Sequence, residues 1–210
     1  MSEEKLLFEG KVISVQPRIR LMRSFDERSH SYLGYALRIN GVIGGKEREF
    51  SIGIGKSTQE KFKFVVGDGI SGVCLAVADV RQESVDYYKV TKIKKNEATL
   101  KEADNRPPWE VLTPSLEEYR GRGHRRLSAR TYESSCWACI WGCRMPVEII
   151  VDNWNPSKCQ YRFETFCYGP KSCKLYKAGP TRKVPGRKGM SYEEPDWVDE
   201  QETEHRGFEE

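Results

Sequence analysis

Six of the seven cysteines fall between Cys136 and Cys173, inside 38 consecutive residues of a 210-residue chain. The opening Met1-Ser2-Glu3-Glu4-Lys5 has neither the basic nor the apolar region of an export signal. An odd number of thiols with no export signal argues against a disulfide framework and for metal ligation in a reducing compartment, so the chain is expected to be cytoplasmic. The order around the thiols carries more information than their number. Cys136-Trp137-Ala138-Cys139 is a C-x2-C pair, and Cys143 follows. Val147–Val151 reads as a strong strand, Asp152–Ser157 is rich in turn formers, and Tyr161–Phe166 alternates as a second strand. Cys167 and Cys173 come directly after. An antiparallel hairpin would carry those two back towards Cys136 and Cys139, and four thiolates would then surround one tetrahedral Zn²⁺.

This plan, two cysteine pairs bracketing a hairpin, resembles a zinc ribbon. It departs from one in the wide second pair, C-x5-C, and in the extra thiol of Cys143. The candidate metal ligands are thus Cys136, Cys139, Cys143, Cys167 and Cys173. A 4Fe–4S cluster is the rival, since Cys136, Cys139 and Cys143 are closely spaced and one remote cysteine would complete a cubane. Trp137 and Trp141 could shield such a cluster or serve as core. Cys159 reads as an exposed thiol on the hairpin, Cys74 as a small buried strand residue, and His124 as a surface histidine.

Residues 6–95 read differently, as short strands between turns. Phe8–Val15 is a first strand, with a possible continuation past Pro17 through Arg18–Phe25. Tyr35–Ile39, Phe50–Ile54, Val73–Val77 and Tyr87–Ile93 follow, with a short helix or loop over 56–66 and a Gly67-Asp68-Gly69 turn. Three strands, a connector, a Gly-Asp-Gly turn and two more strands resemble an OB-fold, a five-stranded barrel. That resemblance implies binding of single-stranded nucleic acid or oligosaccharide on the strand 2–3 face. Gly55-Lys56-Ser57-Thr58 imitates the end of a P-loop, but Phe50 stands where its first glycine is required.

Charge points the same way. Residues 191–210 hold nine acids and one base, so the other 190 residues carry +12 of a net +4. Arginines crowd 119–130, and seven lysines and arginines crowd 170–190, with no acid in either stretch. Such a body suits a polyanion. On the barrel face, Arg18, Arg20, Arg23, Tyr35 and Arg38 offer cations beside rings, as a single strand requires. Arg122, Arg125, Arg126, Arg182, Lys183 and Arg187 offer further phosphate contacts.

The expected architecture is mainly β: an OB-like barrel over 1–97, a Pro-rich linker and short helix over 98–118, a basic Cys-rich metal-binding hairpin module over 119–190, and a flexible acidic tail over 191–210. Thr113 would cap the helix, with Pro114 at its first position. Hydrophobic residues make up 38%, enough for a core. No run approaches the ~20 apolar residues of a membrane helix. The expected function is non-catalytic binding of single-stranded DNA or RNA by a metal-containing protein. The alternatives are an iron–sulfur or thiol-based enzyme, for which no spacing specifies a nucleophile, and an adaptor that meets protein partners through residues such as Trp154.

Overall fold

The computed structural model describes residues 4–25, 28–96, 112–155 and 157–209. Most of the Pro-rich linker expected over 98–118, up to residue 111, lies outside them. Alternating apolar residues build the N-terminal half. β1 (Lys5–Arg23) buries Val12, Val15, Ile19 and Leu21, β2 (Arg28–Ile43) buries Leu37 and Ile39, and β3 (Lys46–Ile54) buries Phe50, Ile52 and Ile54. Helix α1 (Lys56–Phe62), β4 (Gly69–Ala76) and β5 (Tyr87–Asn96) follow. β1 pairs antiparallel with both β2 and β4, β2 with β3, and β4 with β5. β3 meets β5 in parallel at the single pair Ile52↔Tyr87. The five strands therefore form a ring, closed on one side by one contact rather than by a full ladder.

Long strands must bend to close a ring. β1 does so at two register shifts, between Val12 and Ser14 and between Arg18 and Ile19, where bulges sharpen the twist. Opposite the second shift stands Gly34, at φ +128°, and a Cβ there would lie 2.1 Å from the Ile54 carbonyl oxygen. Only glycine tolerates both constraints. Pro17 sits inside β1 without breaking it. Between Lys11, where β4 leaves, and Leu21, where another strand joins, β1 has ladder partners on one side only, so a missing N–H is tolerated.

The C-terminal half begins with α2 (Leu116–Arg122). Its N-cap is Ser115, whose Oγ accepts the Glu118 N–H at 3.1 Å, so the helix starts two residues later than expected from Thr113. β6 (Arg125–Arg126) leads into α3 (Ala129–Thr131), which continues as a wider π-turn over Tyr132–Cys136. The hairpin β7 (Gly142–Ile150) and β8 (Cys159–Cys167) comes next, then β9 (Arg182–Pro185), β10 (Ser191–Glu194) and α4 (Trp197–Thr203).

The hairpin is not a separate module. Leu21–Arg23 of β1 run parallel to Val147–Ile149 of β7, giving one eight-stranded sheet in the order β2-β3-β5-β4-β1-β7-β8-β6. Ile19 and Leu37 of the ring share one core with Met145, Val147 and Phe166 of the hairpin. The boundary expected between 1–97 and 119–190 does not separate two cores. Tyr119 is fully buried in that core, and its hydroxyl donates to the Ile140 carbonyl at 2.6 Å. Tyr119→Phe leaves that carbonyl without its donor, and equilibrium urea unfolding should register a loss of about 1–2 kcal/mol.

The acidic segment also departs from expectation. β10 pairs with β9, and its Glu194 carboxylate turns inward. Arg23 is bonded to Glu164 and Glu194, Arg28 to Glu194 and Glu202, and Arg182 to Glu164. Arg126 is bonded to Asp196 and Asp199. A segment whose composition reads as solvated is folded onto the arginines of the body. Among the described residues no helix is long and apolar enough to cross a membrane.

Candidate functional site

Two features of the described residues could carry function, a groove on the outer face of the ring and a cluster of thiols beside it. The groove has a volume of about 460 Å³. Ser14 and Gln16 of β1, Ala36 and Arg38 of β2 and Ser51 of β3 form its floor. The strand register sets Ser14 beside Arg38 and Arg38 beside Ser51. The β4–β5 connection forms one wall through Glu83 and Asp86. Asp86 accepts from the Ser51 N–H at 2.8 Å and hydroxyl at 2.7 Å, which pins that wall to β3. The other wall carries Tyr132, Trp137, Arg144 and Phe163.

Cations and rings are stacked along that second wall. The Arg38 guanidinium lies 4.9 Å from the Trp137 ring centre, and the Arg144 guanidinium lies 3.9 Å from that of Phe163. The Arg144–Phe163 contact is a diagonal pair across β7 and β8. Burial pushes the Tyr132 phenol well up, with Arg144 and Arg38 pulling in the opposite direction. Charge in the groove is nearly balanced. Glu49 pairs with Arg38 at 3.0 Å, and Glu83 binds Arg18 at 2.7 Å and Arg20 at 2.9 Å.

The thiol cluster abuts the same wall. Gln16 Nε2 donates to the carbonyls of Cys136 at 2.9 Å and Cys139 at 2.8 Å, and Ser14 Oγ donates to that of Trp137 at 3.1 Å. Tyr132 in turn donates to Gln16 Oε1 at 2.7 Å. The Cys136–Cys139 turn is therefore held by β1, and the residue it presents to the groove is Trp137. Cys136 and Cys167 bury together with Leu127, and Cys139 and Tyr176 pack against them. The register Gly142↔Cys167 and Arg125↔Cys167 fixes the end of β8 next to the Cys139 turn. Burial, and then the nearness of Cys139, Cys167 and Cys173, pushes the Cys136 thiol up to about 12. Burial likewise raises Cys139 and Cys167, with Cys173 a further influence on both. Four of the five predicted ligands thus lie within electrostatic reach of one another. Among the described residues, no three His, Cys, Asp or Glu side chains are already drawn into a group that could hold an ion.

Cys143 is the fifth, and it stands apart. It is fully buried in the main core, and its Sγ donates to the Pro17 carbonyl at 3.4 Å. Cys143, Met145, Val147 and Ile149 all face that core at 0–1% exposure, so the period-2 pattern of β7 was the signal that could have placed it there. Cys74 is buried as expected. His124 is not at the surface. It is 2% exposed, and its ring centre lies 4.8 Å from that of His30.

The predicted contact residues separate into three groups. Arg23, Tyr35, Arg126 and Arg182 are buried, the arginines in ion pairs and Tyr35 in the core with its hydroxyl on the Pro114 carbonyl. Arg18 and Arg20 are tied to Glu83, while Arg122 and Arg125 hold the main-chain carbonyls of Tyr168 and Pro170. Only Arg38, Lys183 and Arg187 are exposed, and Lys183 pairs with Glu193. Local charge density hides such pairing, because the partner carboxylates lie far along the chain. Tyr132, Arg144 and Phe163 were not read as site residues, and Trp137 was read only as a cluster shield or core, for a related reason, since no short-range pattern shows that the four share a wall.

Comparison with known proteins yields no match. No family model, no curated protein and no solved structure matches this chain. The functional reading rests on the geometry above.

Proposed function

We propose that this protein binds single-stranded nucleic acid without catalysis, along the groove between the five-strand ring and the β7–β8 hairpin. The ring order supports this reading. Strands 1-2-3-5-4 closing back on 1, with a helix between 3 and 4, is OB-fold connectivity. OB-folds take their ligands on the strand 2–3 face and the strand 4–5 loop. The observation that carries the reading is the wall of Trp137, Tyr132 and Phe163 beside Arg38 and Arg144 in that location. Partly exposed rings offer faces on which bases stack, and guanidinium planes extend the stacking surface.

The balanced charge of the groove changes what such binding should look like. Two cations, Arg38 and Arg144, are placed to meet phosphates, far fewer than the clustered arginines of the sequence suggested. At roughly −0.7 per neutralised phosphate on a single strand, log K should fall against log salt with a slope of about −1.4. Stacking then supplies most of the affinity, at ~1–3 kcal/mol per base. Fluorescence anisotropy with labelled oligo-dT and oligo-U tests both statements. Trp137→Ala should weaken binding by about 5- to 150-fold. Absence of binding by the native chain, or binding indifferent to that substitution, would remove the proposal.

A further inference from the structure

We propose that Cys136, Cys139, Cys167 and Cys173, and not Cys143 or Cys159, bind one zinc ion that joins the π-turn to the end of the β7–β8 hairpin. The proposal stands on the thiol cluster alone and does not depend on what occupies the groove.

Three observations carry it. First, the four thiols come as two pairs from two turns. Cys139 closes on Cys136 through its N–H to the Cys136 carbonyl at 3.1 Å, and Cys173 closes on Pro170 at 3.2 Å. Two-plus-two supply from separate turns is how structural zinc is held, and the β8 register brings the turns to one place. Second, a backbone N–H already points at sulfur: Gly169 donates to Cys167 Sγ at 3.4 Å. Such a donor suits a thiolate, because a neutral thiol is a weak acceptor. Third, Arg125 is the register partner of Cys167 across β6 and β8, and its guanidinium lies 3.9 Å from the Tyr176 ring centre. Zinc loading releases four thiol protons to solvent and leaves the four-thiolate centre with a net charge of −2. A cation beside the cluster offsets part of that charge.

The position of Cys143 removes the cubane built on Cys136, Cys139 and Cys143. A cubane was attractive because Cys136, Cys139 and Cys143 are close in sequence, but the Cys143 thiol is held by the Pro17 carbonyl inside the main core. What remains is four thiols in two pairs, the donor set of tetrahedral zinc.

The experiment uses the full chain purified without chelator. Elemental analysis should find about one zinc per chain. Cobalt added to the chelated protein should give the intense visible bands and near-ultraviolet charge transfer of a tetrahedral thiolate site. Competition with a chromophoric chelator should show Cys139→Ser and Cys173→Ser weakened by more than about tenfold, while Cys143→Ala and Cys159→Ser bind as the native chain does. Cys173 is only partly buried, so its variant remains informative even if Cys139→Ser fails to fold. Four outcomes would overturn the assignment: no bound metal, iron with visible sulfide absorbance, native affinity in Cys173→Ser, or lost affinity in Cys143→Ala.

Discussion

Glu164→Ala should lower the free energy of unfolding by about 3–5 kcal/mol, the largest single-residue effect expected in this chain. Glu164 is 6% exposed and is shared by three arginines, with Arg162 at 2.6 Å, Arg182 at 3.0 Å and Arg23 at 3.2 Å. Burial pulls the Arg182 guanidinium down to about 10, and Glu164 is the foremost group opposing that pull. Removing the carboxylate leaves two buried guanidiniums, those of Arg23 and Arg182, sharing Glu194. The cost is that of the stranded charges, so it exceeds the net worth of any one pair. Glu164→Gln keeps the volume and should be milder than alanine. Urea titration monitored by far-ultraviolet circular dichroism measures both. A loss below 1 kcal/mol for the alanine variant would mean that water reaches the network.

The second large effect is acid sensitivity. His30 and His124 face each other across 4.8 Å, against the rings of Tyr168, Phe166 and Tyr32 and beside Arg28, Arg23, Arg182 and Glu194. Burial, then Arg28 and Arg23, pulls His30 from 6.5 down to about 4. Burial, then His30 itself, pulls His124 well down. Both bind protons more readily in the unfolded chain, so their stabilising contribution is complete above pH 6.5 and is lost as pH falls towards 4. Each can remove up to about 1.4 kcal/mol per pH unit over that window. Glu194, held below its ordinary range by Arg23 despite burial, reinforces the trend as pH falls below 4.5. Urea midpoints at pH 7.5 and 5.0 should differ by several kcal/mol in derived stability, and His30→Asn should reduce the difference. Equal midpoints would show that neither ring resists protonation.

The strands of the ring were legible because each writes its own two-residue alternation, from Val73 and Leu75 to Phe50, Ile52 and Ile54. The β7–β8 hairpin was legible for the same local reason, since its turn is readable. The ion pairs of Arg23, Arg126 and Arg182 were not. Their partners stand up to 171 residues away, and nothing near either member announces the other. Acidic composition at 191–210 suggests a solvated tail only while the arginines it meets are imagined at the surface. The groove wall was hidden similarly, because Trp137 reaches it through the hold of Gln16 on Cys136 and Cys139, 120 and 123 residues apart in sequence.

The shared use of β1 has a consequence for how the chain is made. Leu21–Arg23 find their second neighbour only in Val147–Ile149, so during synthesis that stretch leaves the ribosome more than a hundred residues before its partner. Until then its outer rim is bare backbone, able to recruit a strand from a neighbouring nascent chain. Chaperone dependence and losses to inclusion bodies should therefore track the exposure of this short stretch, and a fragment ending after β5 should be the form most prone to precipitate.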